Sequence, residues 1–268
     1  MPKHFIRHFG LFFLLALGGL TSCCAASSPV ESLGLQGKIA FVSERHVQIF
    51  GIAVRGRYGL YVMDLDRPDA SQFVIEPGED ILAYPDWSPA GDRLVFYRSV
   101  YDPEQGYIRR IVLVDPVLNQ EDIFGDAWLG LDPAWSPDGA LIACVKGGSL
   151  ALYDVETQRH VGDREAPGRL SGPSWSPHGE YIVFAYAPDA SIVGPGAVGG
   201  IATLNVEDGT FTQLTFDDAD ISPAWGPDGR IVFVRAGDIY VMVEDGSAVT
   251  RLTNDGQNGS PADRKSTR

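Results

Sequence analysis

Acidic residues are concentrated in two short segments of the sequence, PGED at 77–80 and FDDAD at 216–220. Grouped carboxylates attract cations and positively charged peptides, so both segments are candidate parts of a binding site. The acids concerned are Glu79, Asp80, Asp217, Asp218 and Asp220. Side chains suited to contacting a peptide occur in other polar segments, at Arg55, Arg57, Tyr101 and Tyr107. The alternative is that these acids are ordinary residues of exposed turns, in a chain with a net charge of −14.

Motifs for catalysis or metal binding are missing from the sequence. Outside the N-terminal segment the histidines are His46, His160 and His178, and there is no paired-histidine motif, Gly-x-Ser-x-Gly turn or glycine-rich phosphate loop. Transition-metal sites usually need several imidazoles, and no calcium loop of EF-hand spacing is present. We therefore expect a binding protein without a cofactor. A metal-dependent or carbohydrate-active enzyme that uses the acidic segments is the alternative.

A segment centred on tryptophan recurs four times, as YPDWSPAG, DPAWSPDG, GPSWSPHG and SPAWGPDG. The tryptophans are Trp87, Trp135, Trp175 and Trp225. Each copy leads through a tight turn into short apolar runs rich in Val, Ile, Phe and Tyr, which predict antiparallel strands. Each repeat is therefore expected to be a four-stranded sheet that cannot bury both faces alone, so the sheets must stack with the indoles wedged between them.

The two ends of the repeat region supply complementary parts of one unit. The segment GKIAFV at 37–42 matches GRIVFV at 229–234, but no Pro-x-Trp segment precedes it. The segment NGSPAD at 258–263 stands where another inner strand is due. We expect it to form the inner strand of the first blade and to close an all-β propeller of five blades. Asp263 replaces the expected tryptophan, and an incomplete six-bladed propeller is the alternative.

The connections of such a propeller divide between its two faces. Tight turns such as SPDG and VEDG fall on one face, and the longer connections at 44–59, 99–107 and 187–200 fall on the other. The links between blades, which carry the acidic segments, share this second face. Long loops on a rigid scaffold commonly bind ligands. We therefore expect the binding site on this face, at the mouth of a central channel where a divalent cation could also bind.

The N-terminal residues have the pattern of an export signal. Basic Lys3 and Arg7 precede an apolar run at 9–20, which is too short to span a bilayer, and LTSC at 20–23 resembles a bacterial lipobox. We expect a lipoprotein signal at 1–22, a lipid on Cys23, a flexible tether at 23–36 and the propeller at 37–268. Cleavage near Ala26 by an ordinary signal peptidase is the alternative.

Charge and cysteine content restrict the remaining function classes. Losing Lys3 and Arg7 with the signal segment changes the net charge from −14 to −16, which argues against nucleic acid as a partner. Cys24 and Cys144 are the other cysteines, too few for a disulfide framework. Contact with the membrane is expected through the N-terminal lipid alone.

The repeat resembles that of the TolB family of β-propellers. The resemblance rests on the Pro-x-Trp segments together with LYVMDLD at 60–66, IYVMVEDG at 239–246 and RLTNDG at 251–256. TolB is a periplasmic protein with six blades behind an α/β domain, for which we expect no counterpart here, and it works with the peptidoglycan-associated lipoprotein in envelope integrity. The resemblance implies an extracytoplasmic, monomeric scaffold that binds a protein or peptide in the cell envelope. None of the family's partner-contacting residues can be assigned to this sequence.

Overall fold

A computed structural model describes residues 38–49, 52–64, 67–124, 130–189, 196–254 and 256. These residues form nineteen strands, and no helix among them is long and apolar enough to cross a membrane. The signal segment, Cys23, the tether and the segment at 258–263 lie outside the described residues, so the expectations for them stay predictions.

The strands assemble into five antiparallel sheets, which are the blades of a propeller. Blade 1 contains β1 (Lys38–Ile49), β2 (Ile52–Asp64) and β3 (Arg67–Gly78). Blade 2 contains β4 (Ile81–Trp87), β5 (Leu94–Asp102), β6 (Gly106–Asp115) and β7 (Gln120–Phe124). Blade 3 contains β8 (Leu131–Trp135), β9 (Leu141–Lys146), β10 (Ser149–Asp154) and β11 (His160–Glu165). Blade 4 contains β12 (Gly168–Trp175), β13 (Tyr181–Pro188), β14 (Gly200–Asn205) and β15 (Phe211–Gln213). Blade 5 contains β16 (Asp220–Trp225), β17 (Ile231–Arg235), β18 (Asp238–Met242) and β19 (Thr250–Arg251).

The all-β fold and the count of five blades are confirmed. Blades 2 to 5 each contain four strands in sequence order, and blade 1 contains three among the described residues. The hydrophobic core lies between neighbouring sheets, in clusters that each draw residues from two blades.

Each of the inner strands β4, β8, β12 and β16 contains a bulge at its proline. The residue before the proline has a positive φ in all four copies: 55° at Tyr84, 49° at Asp132, 59° at Gly172 and 51° at Ser222. Proline has no N–H to give to the ladder, so the pairing register shifts there and resumes beyond it. The bulge therefore explains why the sequence places proline two residues before each tryptophan.

The tryptophans lie at the contacts between successive blades. Trp135 shares a buried cluster with Val95 and Ile111 of blade 2 and Ile142 of blade 3. Trp87 and Trp175 have the same position between blades 1 and 2 and between blades 3 and 4. The partly buried Trp225 packs against the cluster of blades 4 and 5. Each indole thus contributes apolar area that only the neighbouring blade can cover.

Hydrogen bonds between blades reinforce this packing. The backbone N–H of Trp135 donates to Asp86 Oδ2 at 2.8 Å, and the N–H of Trp225 donates to Ser174 Oγ at 3.0 Å. Both acceptors occupy the middle position of the preceding Pro-x-Trp segment. The Trp175 Nε1–H instead donates to the Ala134 carbonyl oxygen at 3.1 Å. The residue before the tryptophan therefore bonds to the next blade in blades 2, 3 and 4.

Two of the connections that we expected to be long loops, at 44–59 and 99–107, are paired hairpins, so that expectation is wrong. β1 and β2 stay paired as far as Ile49 opposite Ile52, and β5 and β6 stay paired as far as Asp102 opposite Gly106. The segment 47–54 contains β-branched residues at alternate positions on each side of the hairpin, which favours strands over loop structure.

We predict that Trp135→Ala lowers the free energy of unfolding by about 3–5 kcal/mol, because it opens a cavity between blades 2 and 3. The matched variant is Trp225→Ala, for which a smaller loss is expected because this side chain is only partly buried. Urea denaturation of both variants measures the difference. Equal losses would contradict the assignment of Trp135 to a buried contact between blades.

Candidate functional site

The connections of the propeller define two faces. The link face carries the passages between blades, including residues 79–80 and 214–219, and the tips of the hairpins β1–β2 and β5–β6. The turn face carries the connections from first to second strand, at 88–93, 136–140, 176–180 and 226–230. All nine candidate binding residues predicted from the sequence fall on the link face or in its hairpins.

Turns on the turn face are closed by their own side chains. Ser136 Oγ donates to Asp138 Oδ1 at 2.6 Å and accepts from the Leu141 N–H at 2.9 Å. Ser88 makes the same pair of bonds to Asp92 and Arg93. These polar groups therefore serve the turn that they belong to.

Asp220 forms a buried ion pair and is not an open ligand. Its side chain is fully buried, and its two oxygens accept hydrogen bonds from Arg235 Nε at 2.6 Å and Nη2 at 2.8 Å. Asp217 lies 3.4 Å from the same guanidinium group. The bond with Asp220 is the main reason that the pKa of Arg235 is raised above its ordinary value. Asp220 and the preceding link residue Asp217 thus both neutralise Arg235 of blade 5.

Two further acids of the predicted site have partners within the protein. Asp80 Oδ2 lies 2.6 Å from Arg98 Nη2, and the same arginine contacts Glu121 Oε2 at 2.6 Å. Asp218 Oδ1 accepts a hydrogen bond from the Gly199 N–H at 2.6 Å. Glu79 is exposed. Among the described residues no group of three or more His, Cys, Asp or Glu side chains could hold a metal ion.

The link face presents strongly exposed aromatic side chains. Tyr101 and Tyr107 are 63% and 62% exposed, and their rings meet edge to face with centroids 5.3 Å apart at the end of the β5–β6 hairpin. Phe216, in the passage from blade 4 to blade 5, is 72% exposed. Among the side chains whose exposure the structure describes, these are the Phe, Tyr and Trp residues that are more than half exposed. Phe216 was not predicted as a site residue, because the sequence alone does not distinguish an exposed aromatic residue in a link from a buried one.

The β1–β2 hairpin projects beyond its counterpart in blade 5. Pairing in blade 5 ends at Arg235 opposite Asp238, whereas the aligned pair in blade 1, Ser43 opposite Gly59, is followed by six more residues of β1. At about 3.3 Å per residue the extension is about 20 Å long. Arg55 and Arg57 belong to its second strand. The hairpin therefore adds a long arm to the link face.

A buried carboxyl group lies on the inner strands, at a position that sequence reasoning did not single out. Asp132 precedes the proline of β8, and its Oδ2 accepts a hydrogen bond from the Gly172 N–H at 2.9 Å. Burial raises the pKa of Asp132, and the bond from Gly172 opposes that rise. Burial, followed by the charge of Asp132, raises the pKa of Tyr84 to about 12. Asp132 thus ties blade 3 to blade 4.

Comparison with known proteins finds partial relatives. No protein-family model matches the chain. The uncharacterized protein Atu1656 of Agrobacterium fabrum is 26% identical over 188 residues, which are 65% of this chain and 59% of that protein. The uncharacterized peptidase YuxL of Bacillus subtilis is 26% identical over 157 residues, 41% of this chain and 24% of the peptidase. The Tol-Pal system protein TolB of Francisella tularensis subsp. mediasiatica is 29% identical over 103 residues, 35% of this chain and 22% of TolB. The chain thus spans less than two thirds of each of these relatives.

Solved structures show the same architecture. TolB from Acinetobacter baumannii superposes with a TM-score of 0.59 at 17% identity, over 73% of this chain and 49% of that chain. The β-propeller domain of the trilobed protease from Pyrococcus furiosus has a TM-score of 0.54 at 17% identity, over 81% of this chain and 68% of that chain. The fold is therefore a TolB-like β-propeller, as the repeats predicted.

We predict that Asp220→Asn lowers the free energy of unfolding by about 1–3 kcal/mol, because it removes the charge that neutralises Arg235 inside the protein. Asp80→Asn is the matched variant. Its ion pair is about one quarter exposed on both sides, so a loss of about 0–1 kcal/mol is expected. Urea denaturation at neutral pH compares the two, and equal effects would contradict the internal role assigned to Asp220.

Proposed function

We propose that the protein is a lipid-anchored, extracytoplasmic β-propeller that binds a protein or peptide in the cell envelope and acts there as a scaffold. Similarity to Tol-Pal system proteins named TolB, in sequence and in fold, supports an envelope protein with a protein partner. The alignment with the Francisella protein covers 22% of its length. The extracytoplasmic location of the protein, its lipid anchor and its protein partner are therefore proposed.

The exposed aromatic residues of the link face are the observation that carries this proposal. Tyr101, Tyr107 and Phe216 combine more than 60% exposure with positions on hairpins and links that the scaffold holds in place. Tyrosine and phenylalanine are enriched at protein interfaces, because rigid rings bury large areas at a low cost in side-chain entropy. The arm formed by β1 and β2 borders the same face and adds Arg55 and Arg57, which suit a partner with acidic groups.

Binding is better supported than catalysis by the geometry of the acids. Asp80, Asp217, Asp218 and Asp220 already contact Arg98, Arg235 or the Gly199 N–H. A cation or a sugar at this position would have to displace those internal partners. Exposed rings need no such exchange before they contact a partner.

We predict that the triple variant Tyr101→Ser, Tyr107→Ser, Phe216→Ser loses the partner of the native protein. Both proteins are immobilised through a C-terminal tag and exposed to solubilised membranes of the source bacterium. Mass spectrometry quantifies the proteins enriched over empty resin. We expect at least about tenfold less partner on the variant, since interface aromatics often contribute about 2 kcal/mol each.

The control for this experiment lies on the opposite face. Val117→Ser combined with Leu118→Ser changes two side chains that are 79% and 70% exposed. They lie between β6 and β7 of blade 2, and this connection is on the same face as the turns from first to second strand. This variant should retain the partner in full. Retention by the aromatic variant, or equal loss by both variants, would refute binding through the link face.

We predict that Cys23 carries the lipid. Cells expressing the full chain are grown with an alkyne-labelled fatty acid, and label on the purified protein is read by fluorescence after coupling. Cys23→Ser should abolish the label, and the adjacent Cys24→Ser should retain it. Label that persists on Cys23→Ser would show that the lipid has been assigned to the wrong residue, and an unsubstituted chain without label would show that the protein carries no such lipid.

A further inference from the structure

Charged side chains of the link face differ in whether the protein already satisfies them. The described acids of the links contact Arg98, Arg235 or the Gly199 N–H, and Glu79 also interacts with another residue of the chain. In the described links and the first and second strands at this face, two charged side chains make no hydrogen bond or ion pair, those of Lys146 and Arg169. The charge that these segments can offer a partner is therefore positive, although the whole chain carries −14.

Lys146 lies at the tip of a short hairpin. The β9–β10 hairpin of blade 3 ends with Lys146 opposite Ser149. The equivalent pair of blade 2 is Arg98 opposite Arg110, and four more pairs follow it toward the tip of the β5–β6 hairpin. At about 3.3 Å per residue, blade 2 extends about 13 Å beyond blade 3 at this face. Residues 146–149 therefore form a shelf beside the longer hairpin, which we call the blade 3 shelf.

The exposed tyrosine pair lies on the side of blade 2 that faces the blade 3 shelf. Tyr97 of β5 packs in the cluster between blades 2 and 3. Tyr101 is on the same face of this unbroken strand, with Tyr107 directly opposite. Lys146 shares a face of β9 with Cys144, which packs in the same cluster. The two rings and the ammonium group thus border one space between blades 2 and 3.

Arg169 supplies the second unpaired cation, at the start of blade 4. The link that precedes it is bound to the blade 3 shelf, because the Ala166 N–H donates to the Gly148 carbonyl oxygen at 3.1 Å. The Pro167 carbonyl oxygen accepts a hydrogen bond from the Tyr186 hydroxyl at 3.2 Å. Arg169 follows two residues later in β12, and its side chain is exposed. Its backbone is therefore fixed between two blades while its charge is available.

Exposed aromatic and cationic side chains follow one another from blade 2 to the start of blade 5. In this order they are Tyr101 and Tyr107, Lys146, Arg169 and Phe216. We propose that this track binds an extended segment of the protein partner, with acidic residues over blades 3 and 4 and apolar side chains at both ends. The inference rests on the proposed function and adds the chemistry of the partner. Cations opposite carboxylates select the partner, and rigid rings supply contact area.

Exposed acids border the track on its outer side. Glu104 lies in the turn of the β5–β6 hairpin, and Glu165 is in β11, the outer strand of blade 3. They repel an acidic segment and so keep it on the inner strands. A basic segment is the competing partner, because it would bind these acids and avoid Lys146 and Arg169.

Peptide display tests the sign of the partner's charge. A phage library of random peptides is selected on the full chain, immobilised through a C-terminal tag, and sequenced before and after selection. We expect the selected peptides to gain Asp and Glu relative to Lys and Arg. Selection of basic peptides, of peptides without charge preference, or of no peptide would overturn the proposal.

Charge variants locate the binding of the most enriched peptide. Fluorescence polarisation should show that Lys146→Gln with Arg169→Gln weakens it about three- to thirtyfold, since two exposed ion pairs are lost. Lys38→Gln with Arg159→Gln removes the same charge from exposed positions at the turn-face ends of β1 and β11, and affinity should stay within about twofold. Raising NaCl from about 50 to about 300 mM should weaken the native protein more than the first variant. Equal affinities of the two variants would overturn the proposal.

The pull-down from solubilised membranes separates this proposal from the proposed function. Lys146→Gln with Arg169→Gln should retain at least about threefold less partner than Lys38→Gln with Arg159→Gln. If the two charge variants retain equal amounts while the triple aromatic variant loses the partner, the acidic segment is wrong and the scaffold function stands. If the triple aromatic variant also retains the partner, both are wrong.

Discussion

Each blade of this protein has two apolar faces, and its own strands cannot cover either of them. The largest fully buried side chains, such as Phe96, Phe184 and Phe233, belong to second strands and lie in clusters shared by two sheets. Stability therefore comes from contacts between blades, where the tryptophans pack and the backbone N–H groups of Trp135 and Trp225 donate hydrogen bonds to the preceding blade. Because every blade needs a neighbour on both sides, the arrangement favours a closed ring.

The same constraint explains why the acids of the link face are structural. The passage into blade 5 leads directly to Asp220, whose side chain is fully buried at the start of β16. A buried carboxylate such as Asp220 is tolerated there because Arg235 donates two hydrogen bonds to it, while the aromatic rings of Phe233 and Tyr240 flank the guanidinium group at 5.4 Å and 5.2 Å. The acids thus hold the links in place, and the exposed rings beside them remain available to a partner.

The fold was largely predictable from the sequence, whereas the candidate site was predictable only in part. The pattern that recurs around Trp87, Trp135, Trp175 and Trp225 predicts repeated sheets that must stack to bury their faces. The number of repeats therefore predicted the number of blades. The extended β1–β2 hairpin has no second copy in the chain for comparison, and it was mistaken for a loop. The partner of Asp220 depends on a cross-strand register that the bulge at Ser222 shifts. The exposure of the Phe216 side chain depends on the backbone path of the link between blades 4 and 5. No local sequence pattern predicts that path.

Departures from the repeat lie on the face that we propose as the binding surface. On the turn face, Ser88 and Ser136 are buried and close their own turns, so these positions cannot change without cost to the blade. The described hairpins of the link face differ between blades, with an arm in blade 1 and a paired tyrosine hairpin in blade 2, and the passage before blade 5 carries an exposed phenylalanine. Where the fold requires no particular residue in a connection, the sequence of that connection is free to change in favour of binding a partner. The variation is concentrated on the same face as the exposed aromatic rings, and a binding surface there accounts for both observations.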